Sequence, residues 1–533
     1  MRTRLLASVC YTVLTAVTAF SQWSTDPNVD NIVYNGLGDQ VTPKIASTSD
    51  GGVYVGWFDN RAGNYDMRLQ RYDAAGFPQF DPNGLLISDK AQNSSLVEWD
   101  LIADSSDNAV LVFTDLRNGV DLDVQAYRIS PAGAFLWGAD GVGISNNSEY
   151  EPAPSVAELS DGRFIVIWAW LPSSGTGAIR GQLLDPNGRK NYAADGDDLI
   201  TPSVANERPA FSQVVSADNG SYIVSYVRDI RTFSSPRHVR TQKFAADGSE
   251  LWNGGTPINI HSTGSVPIAH TPRLLSDGAG GAVYYWHYAA TTVFNCFIQH
   301  VAGNGTVLLP AGGVTVSTDA VNNHLDPTAV YFAGSGETCM IWNERNPAQS
   351  QWGIYGQRFA ADGTTLWGAT GKEIVPVNAV NKSLPRSVRF NEDALAFWFD
   401  QPVSGVQDRI VGVRLDPNGN SVWPTTPMVV SDTPTDKLRT PITIGPDCVT
   451  KLAWEVRDLT NSGEVFAKAV RPSGSVGPVC VGDLNMDDMV DLSDLAGLLS
   501  SFGLDAGGDI DYDGDTDLGD LAGLLANFGS NCD

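Results

Sequence analysis

Apolar and polar residues alternate along most of the chain, and this pattern predicts β-strands. The runs 53–59 (VYVGWFD), 164–170 (FIVIWAW), 282–288 (AVYYWHY) and 394–400 (ALAFWFD) are rich in β-branched and aromatic residues. Such composition favours strands over helices. Apolar residues at helical spacing are absent from this part of the sequence. The pattern therefore predicts an all-β body.

One phrase recurs along this body: a β-rich run that ends in a turn at a glycine, often with a tryptophan soon after. Each unit contains four strand signals, of which the second lies near a proline and the third ends on an aromatic residue. Four strands in a unit of this length are typical of one blade of a β-propeller. The steps between turn glycines are 57, 55, 60, 57, 58, 56 and 55 residues, and the glycines are Gly76, Gly133, Gly188, Gly248, Gly305, Gly363, Gly419 and Gly474.

The number of units predicts an eight-bladed β-propeller, with seven blades as the alternative. The third and fourth strands each occur eight times, and the run 31–35 (NIVYN) supplies the short strand that an eighth blade needs. A β-solenoid is disfavoured because its repeats are usually shorter. We assign residues 22–476 to this domain.

An acidic residue follows the third strand in several units and could belong to a catalytic site. Paired carboxylates beside a channel can serve as acid and nucleophile in a glycosidase. An acid that repeats with the units, however, is expected to cap a turn or to pair with a nearby arginine. We favour the structural interpretation and assign no catalytic residue. The acids are Asp59, Asp115, Glu344, Asp400 and Glu455.

Three units depart from the repeat and could line a ligand site. They carry the segments 168–170 (WAW), 226–228 (YVR) and 286–288 (WHY), and all six histidines lie between His238 and His324. Aromatic rings can stack on sugars, and histidine can move protons. No two histidines have metal-site spacing, and scattered structural histidines remain the favoured alternative. If these units bind a glycan, replacing Trp170 and His287 with alanine should abolish binding.

The segment 481–533 has a different composition from the body. It contains thirteen aspartates, no glutamate, no lysine and no arginine, and carries −13 of the chain's net charge of −27. Two twelve-residue runs, 483–494 and 509–520, place oxygen-bearing side chains at positions 1, 3, 5, 9 and 12, as EF-hand calcium loops do. Aspartate replaces the usual glutamate at position 12, and Asp488 replaces glycine at position 6 of the first run.

These runs predict two Ca²⁺ sites, because Ca²⁺ takes six to eight oxygen ligands. Met489 and Asp515 at position 7 would offer backbone carbonyls, and Asp491 and Asp517 at position 9 would act through water. The residues expected to bind directly are Asp483, Asn485, Asp487 and Asp494 in the first loop, and Asp509, Asp511, Asp513 and Asp520 in the second.

Each loop is followed by an apolar run at helical spacing, 495–503 and 521–529. Gly503 and Gly529 stand where a helix commonly ends on a glycine. We predict two short helices that bury Leu495, Leu499, Leu521 and Leu525 in one small core. No helix precedes the first loop, unlike in a standard EF-hand.

Five cysteines follow residue 21. Cys480 and Cys532 bracket the acidic segment, and we predict that they form a disulfide, which an exported protein can keep. The pairing of Cys296, Cys339 and Cys448 stays open. A disulfide and bound metal would together stabilise a domain too small to bury a sufficient core.

The duplicated calcium run, each copy followed by a DLAxLL helix, resembles a type I dockerin over residues 477–533. The resemblance implies a small all-α domain that binds a cohesin-type partner on a scaffold or cell surface. In that family the partner is recognised by loop positions 10 and 11, which here are Leu492, Ser493, Leu518 and Gly519. These differ from the Ser-Thr pair of cellulosomal members, so the choice of partner stays open. The body is similar to secreted bacterial propeller repeats.

The N-terminus predicts export. Arg2 and Arg4 precede an apolar stretch, and small residues before Gln22 suit cleavage, so we interpret residues 1–21 as a signal peptide. We therefore expect a secreted or cell-surface location. The acidic balance argues against nucleic acid and anionic membranes as partners, and no later apolar stretch is long enough to span a bilayer.

These features together predict a secreted propeller that binds a glycan or a protein and is held to a receptor by its calcium module. One alternative is a polysaccharide-degrading hydrolase or lyase that carries the same module. The other is a structural surface protein in which the tail only adds stability.

Overall fold

A computed structural model describes the chain over residues 22–92, 98–119, 121–173, 175–202, 204–230, 236–268, 270–289, 293–402, 408–457, 463–511 and 513–532. The predicted signal peptide, residues 1–21, lies outside the described residues. Two single-turn 3-10 segments, Asp218–Gly220 and Asn253–Gly255, accompany the strands and helices.

The described residues form 32 β-strands and two α-helices. The strands are β1 (Asn31–Tyr34), β2 (Gln40–Ser47), β3 (Val53–Asp59), β4 (Asp66–Tyr72), β5 (Leu85–Ser88), β6 (Asp100–Ala103), β7 (Ala109–Asp115), β8 (Asp123–Ile129), β9 (Val142–Gly143), β10 (Ser155–Glu158), β11 (Phe164–Trp170), β12 (Ala178–Leu184), β13 (Asp197–Ile200), β14 (Arg208–Ser216), β15 (Tyr222–Asp229), β16 (His238–Phe244), β17 (Ile258–His261), β18 (Arg273–Ser276), β19 (Ala282–Ala289), β20 (Phe294–Val301), β21 (Val314–Thr315), β22 (Asn323–Phe332), β23 (Glu337–Arg345), β24 (Trp352–Phe359), β25 (Lys372–Asn378), β26 (Asn381–Phe390), β27 (Asp393–Gln401), β28 (Asp408–Leu415), β29 (Met428–Leu438), β30 (Ile442–Ile444), β31 (Thr450–Arg457) and β32 (Gly463–Val470). The helices are α1 (Leu492–Ser501) and α2 (Leu518–Asn527).

The strands pair into antiparallel four-stranded units in sequence order. Six units, from β2–β5 to β22–β25, are separate sheets. The long strand β29 pairs with both β28 and β31, so the last strands and β1 form one eight-stranded sheet. The predicted all-β body and the small helical region after it are confirmed, and the four-stranded units are consistent with a β-propeller.

The N-terminal segment completes the last unit. Strand β1 pairs with β32, and Asn31 lies opposite Ala467. The Trp23 ring packs against Gly76, where an added Cβ atom would lie 2.7 Å from it. The start and end of the body are therefore joined by strand pairing.

The recurring tryptophan and glycine contact each other across neighbouring units. Trp367 donates its indole N–H to the carbonyl of Pro417 at 2.9 Å. The adjacent Gly419 has a φ of +73°, and a Cβ atom there would lie 2.9 Å from the Trp367 ring. Only glycine suits both the backbone and the close approach. The same contact joins Trp137 with Gly188, Trp252 with Gly305 and Trp423 with Gly474.

The recurring glutamine of the fourth strand holds the turn that follows it. The Gln357 amide donates to the carbonyl of Gly368 at 2.6 Å and accepts from the backbone N–H of Trp367 at 2.9 Å. Gln70 makes the corresponding bonds to Asp81 and Phe80. A buried amide is thus satisfied at both ends, which fixes the turn against the sheet.

The first strands of the units contact one another and surround a central cavity. Strand β2 contacts β6 and β30, β10 contacts β6 and β14, and β26 contacts β22 and β30. These strands are bulged, as between Val41 and Lys44, where the register shifts. Each bulge holds a non-glycine residue at positive φ, and the recurrence makes this a feature of the architecture. The residues are Thr42, Ala153, Phe211, Asp326, Leu384 and Arg439.

Candidate functional site

The C-terminal helices begin earlier than the sequence pattern predicts. Helices α1 and α2 start at Leu492 and Leu518, inside the calcium runs, where the expected starts are residues 495 and 521. Asp491 and Asp517 cap them, and each forms a reciprocal capping box with the aspartate three residues later. Positions 10 to 12 of each loop therefore form the first turn of the helix. The cap accepts hydrogen bonds from backbone N–H groups of this turn, which have no partner within the helix.

The predicted small core is partly wrong. Leu498 and Leu524 are fully buried and face each other with Val490 and Cys480, and Leu495 and Leu521 are partly buried beside them. Leu499 and Leu525 are instead 55% and 54% exposed. The buried residues Leu498 and Leu524 each lie one position before the residues predicted to be buried, Leu499 and Leu525. A rotation of about 100° per residue accounts for the difference.

The two loops have the same backbone hydrogen-bond pattern. Position 12 accepts from the N–H groups of positions 2, 3 and 9: Asp494 at 2.8, 3.1 and 2.8 Å, and Asp520 at 2.6, 3.3 and 2.7 Å. Position 1 accepts from positions 5 and 6: Asp483 at 3.1 and 2.8 Å, and Asp509 at 3.2 and 2.9 Å. The pattern wraps each loop around its own carboxylates.

The second loop gathers acidic oxygens closely enough for one cation. Oxygens of Asp509, Asp511 and Asp520 all lie within 4.8 Å of one another, and so do oxygens of Asp515, Asp517 and Asp520. Ligands at the usual Ca–O distance of about 2.3–2.6 Å lie at most about 5 Å apart. Asp513 is outside both groups, and its carboxylate accepts from the N–H of Asp515 at 3.2 Å. The all-oxygen donor set therefore fits Ca²⁺.

The first loop has oxygen-bearing side chains at the same positions as the second loop. The amide of Asn485 donates to the carboxylate of Asp487 at 3.1 Å, and the N–H of Met489 donates to Asp487 at 3.0 Å. Asp488 at position 6 has a φ of +66°, so an aspartate adopts the left-handed turn that glycine usually supplies.

The carboxylates of the loops interact strongly with their surroundings. Burial raises the pKa of Asp483 to about 6, and the charge of Asp513 is the main cause of a raised pKa at Asp515. Burial also acts to raise the pKa of Asp520, but hydrogen bonds from the backbone of Asp517, Ile510 and Asp511 outweigh it and lower the value. Crowded anions repel one another until a cation offsets their charge.

The residues expected to contact a partner lie at the surface. Leu492 and Leu518 are 72% and 71% exposed at matching positions of the two halves. Ser493 and Gly519 follow them and are also exposed. Exposed leucines at a helix start bury no apolar surface in this chain, so they are available to another molecule.

A buried arginine ties the module to the body. The Arg471 guanidinium lies 3.0 Å from the Asp488 carboxylate, and it donates to the carbonyls of Pro478 at 2.7 Å and Cys532 at 2.6 Å. Ser475 donates to the other Asp488 oxygen at 2.8 Å. Cys480 and Cys532 form a disulfide with Cα atoms 5.8 Å apart. Strand β32, the connecting segment and both ends of the module thus meet at Arg471.

The three remaining described cysteines are free. Cys296 and Cys339 are buried, and Cys448 is partly exposed. Burial raises the pKa of the Cys339 thiol to about 12, so this group stays protonated and packs as an apolar residue.

The repeating acids of the body are buried and paired. Asp115 lies 2.6 Å from Arg117, Asp400 lies 2.7 Å from Arg409, and Asp59 is ion-paired to Arg61. Glu455 also pairs with two arginines, Arg439 at 2.7 Å and Arg457 at 3.3 Å. Such pairs cap the strand ends as the structural interpretation expects.

Glu344 differs from the other repeating acids, because within the described residues it forms no ion pair with an arginine or a lysine. It accepts from the indole N–H of Trp342 at 2.7 Å and lies 3.3 Å from His324. Burial raises the pKa of Glu344 to about 7 and lowers that of His324. Both burial effects favour the neutral forms, so we describe this contact as a close approach of two neutral groups rather than a salt bridge.

One of the three units that break the repeat, the one with segment 286–288, contributes to a cluster at β19 and β22. The rings of His270 and His287 lie 3.8 Å apart, and the backbone N–H of Asp326 donates to Nδ1 of His287 at 3.1 Å. Arg345 pairs with the Asp326 carboxylate at 3.1 Å. Burial lowers the pKa of His287 to about 4. Trp170 lies elsewhere, beneath the Arg180 guanidinium at 4.2 Å.

The central cavity has a volume of about 640 Å³ and is lined from most of the first strands. Its charged lining residues are four cations and a single acid: Lys44, Arg273, Arg386, Arg439 and Glu98. The sequence pattern does not reveal this site, because these residues come from different units. The sequence does contain a signal for these four cations, since each lies within two residues of a proline at a first strand. The prolines are Pro43, Pro272, Pro385 and Pro441.

Within the described ranges, no helix has both the length and the apolar character needed to cross a membrane. Neither a family model nor a curated protein matches the chain.

Several solved structures resemble the chain at low identity. An endo-arabinase from Bacteroides thetaiotaomicron VPI-5482 is 12% identical, with 63% of this chain and 94% of that chain covered and a TM-score of 0.28. A PL25 ulvan lyase bound to -[GlcA(1-4)Rha3S]- is 10% identical, with 86% of this chain and 96% of that chain covered and a TM-score of 0.40. The Dos1 propeller is 12% identical, with 83% of this chain and 95% of that chain covered and a TM-score of 0.40. By name, two of these are polysaccharide-degrading enzymes and one is a propeller. TM-scores below 0.5 add no argument about the activity of this chain.

Proposed function

We propose that this chain is a secreted, carbohydrate-acting propeller that attaches to a cohesin-type receptor through a calcium-dependent, dockerin-like module. The observation that carries the attachment is the identical hydrogen-bond pattern of two loops with calcium-type ligand spacing. A solvated acidic turn has no reason to repeat this geometry. Secretion follows from the signal peptide predicted over residues 1–21.

The propeller has eight blades in this proposal. Six separate sheets and the two halves of the joined sheet give eight units of four strands, of which β30, β31, β32 and β1 form the last. Completion of the last blade by an N-terminal strand closes the ring by hydrogen bonds. The pairing of β1 covers the edge that β32 would otherwise expose.

Each loop binds one Ca²⁺. Asp509, Asp511 and Asp520 would hold the ion of the second loop, and Asp483, Asn485 and Asp494 would hold that of the first. The carbonyls at position 7 and the side chains at position 9 would complete the ligand set. Bound Ca²⁺ would offset the mutual repulsion of these carboxylates and stabilise a domain whose apolar core is small.

The exposed first turns of α1 and α2 would contact the cohesin. Leu492 and Leu518 occupy matching places in two similar halves, so either half can present the same apolar side chain to a partner. Replacing both leucines with aspartate should therefore be necessary to abolish docking. Leu504, which is 80% exposed and lies outside both loops, offers a matched control.

The test is capture of the full-length protein on immobilised type I cohesin domains, with calcium and with a chelator. We expect capture that falls at least tenfold on chelation and in L492D/L518D, and that is unchanged in L504D. Equal capture with and without chelator would contradict calcium-dependent docking. Failure of every cohesin to capture the calcium-loaded protein would contradict the choice of partner.

A second candidate function is degradation of a polysaccharide by a hydrolase or lyase. It is favoured by Tyr285, which lines the central cavity and lies two residues from His287 on the same face of β19. Burial raises the pKa of Tyr285, and the charges of Arg273 and Arg386 oppose that rise. A tyrosine beside cations is suited to proton transfer.

A screen for polysaccharide turnover tests this candidate. We expect Y285F to lose turnover while ligand binding is retained. Asp59 and Asp400, the acids that the sequence offered for a glycosidase, are buried in ion pairs, so their variants serve as stability controls. Full turnover in Y285F would contradict a role for Tyr285 in the reaction.

A further inference from the structure

The first strands bring together cations that no single unit contains. Lys44 comes from β2, Arg273 from β18, Arg386 from β26, and Arg439 from the segment after β29. Lys44, Arg386 and Arg439 lie at or beside strand bulges, where the backbone kinks and turns a side chain toward the cavity. The architecture of the ring thus concentrates positive charge at its centre.

The charge of the cavity opposes that of the whole protein. Four cations and Glu98 give the lining a formal charge of +3, whereas the chain carries −27. Low-dielectric walls focus such a charge and raise the local concentration of anions.

Two of these cations lack a carboxylate partner. Lys44 lies 3.6 Å from Glu98, and Arg439 pairs with Glu455 at 2.7 Å. Neither Arg273 nor Arg386 forms an ion pair within the described part of the chain, and Arg386 donates only to the carbonyl of Pro385, at 3.0 Å. Burial, and then the charge of Arg273, lower the pKa of Arg386. Two neighbouring cations that form no ion pair with a carboxylate favour an anionic ligand, which arginine can bind through two parallel hydrogen bonds.

The cavity also offers neutral hydrogen-bonding groups. Gln213, Tyr285, Thr328 and Ser387 line it, and the hydroxyls of Thr328 and Ser387 lie 2.9 Å apart. Its volume of about 640 Å³ is in the range of small-molecule sites, about 300–1,000 Å³, and exceeds what a single inorganic anion fills. Hydroxyl and amide groups around a cationic pair suit a sugar that bears acidic substituents.

We propose that the central cavity binds an anionic oligosaccharide, with Arg273 and Arg386 holding a carboxylate or sulfate group of the sugar. The inference rests on the carbohydrate role proposed above and adds the charge of the ligand and the residues that select it. A nucleic acid is disfavoured, since its binding requires many phosphate contacts and the strongly acidic remainder of the chain would repel its backbone.

The experiment is titration calorimetry of the full-length protein with three probes at low salt: an oligogalacturonate, a neutral cello-oligosaccharide of equal length, and inorganic sulfate. Wild type should bind the oligogalacturonate at least tenfold more tightly than either other probe, and added salt should weaken that binding. R273Q and R386Q should each weaken it at least tenfold. R189Q, which makes the same charge change at an exposed site, should bind like wild type.

The other outcomes overturn the inference in separate ways. Equal binding of the neutral oligosaccharide would leave the carbohydrate role intact and refute the selection by charge. Sulfate binding as tight as that of the oligogalacturonate would indicate a site for a small anion instead of a sugar. Binding of none of the three, or wild-type affinity in both arginine variants, would refute the site itself. Arg273 is exposed, so R273Q leaves the core intact, and thermal unfolding of both variants checks their fold.

Discussion

The Arg471 guanidinium lies 3.0 Å from the Asp488 carboxylate, so the end of the β-sheet body is ion-paired to the first of the two acidic loops. Both side chains are buried, and removing one partner of a buried pair costs about 3–5 kcal/mol. We expect R471A to lower the free energy of unfolding by this order and to speed proteolysis within 477–482. Denaturant unfolding and limited proteolysis measure these effects.

The matched control for Arg471 is Arg163, which pairs with Asp161 at the surface. Exposed pairs contribute about 0–1 kcal/mol, so R163A should unfold almost like wild type and resist proteolysis equally. If R471A and R163A behave alike, the module is not fixed to the propeller through Arg471.

The contact between Trp367 and Gly419 leads to a second prediction. G419A should destabilise the protein more than G138A, although both glycines have positive φ. A left-handed alanine costs about 1–2 kcal/mol at either site. At Gly419 the added Cβ must also displace the Trp367 ring, whereas at Gly138 it meets nothing within 4 Å. Denaturant unfolding of both variants tests this, and equal losses would show that the ring accommodates the methyl group.

Much of this fold can be predicted from sequence because its determinants are local and repeated. The turn glycine occurs in all eight units, the strand glutamine in five and the tryptophan in four, each within its own unit's segment. The two acidic loops can be recognised for the same reason, since the oxygen-bearing residues of each loop lie within twelve residues.

Other features depend on distant or subtle contacts that a sequence pattern does not reveal. The cavity cations Lys44 and Arg439 are separated by most of the chain, and only ring closure brings them together. Leu499 is exposed because α1 buries the preceding residue, Leu498, against Leu524. The disulfide Cys480–Cys532 has the pairing that the sequence suggested.

The buried Glu344 predicts a pH dependence of stability. Its pKa is raised by burial from 4.5 to about 7, so the folded state favours the protonated acid. The stability that Glu344 contributes is fully present below pH 4.5 and is lost as pH rises through about 7. The loss is about 3 kcal/mol by linkage.

The variant E344Q isolates this effect, because its amide oxygen can still accept from Trp342. Denaturant unfolding at several pH values should show E344Q gaining stability relative to wild type as pH rises from 4.5 to 7. A difference between the two proteins that does not vary with pH would mean that Glu344 is ionised in the fold.

Substitution of the position 12 aspartates tests each calcium loop separately. D494N should abolish one of two calcium sites and D520N the other, because the carboxylate is both a ligand and the acceptor that closes the loop. D505N is the matched control, since Asp505 is exposed and lies between the loops. Equilibrium dialysis should give one ion for each loop variant and two for the control.

Calorimetric titration of the chelator-treated, full-length protein with Ca²⁺ tests the central claim most directly. The two matching loops predict two bound ions per chain, with a rise in the unfolding temperature of the C-terminal module as they bind. Absence of Ca²⁺ binding, or binding that persists in a D494N/D520N double variant, would contradict the assignment of these loops as the calcium module.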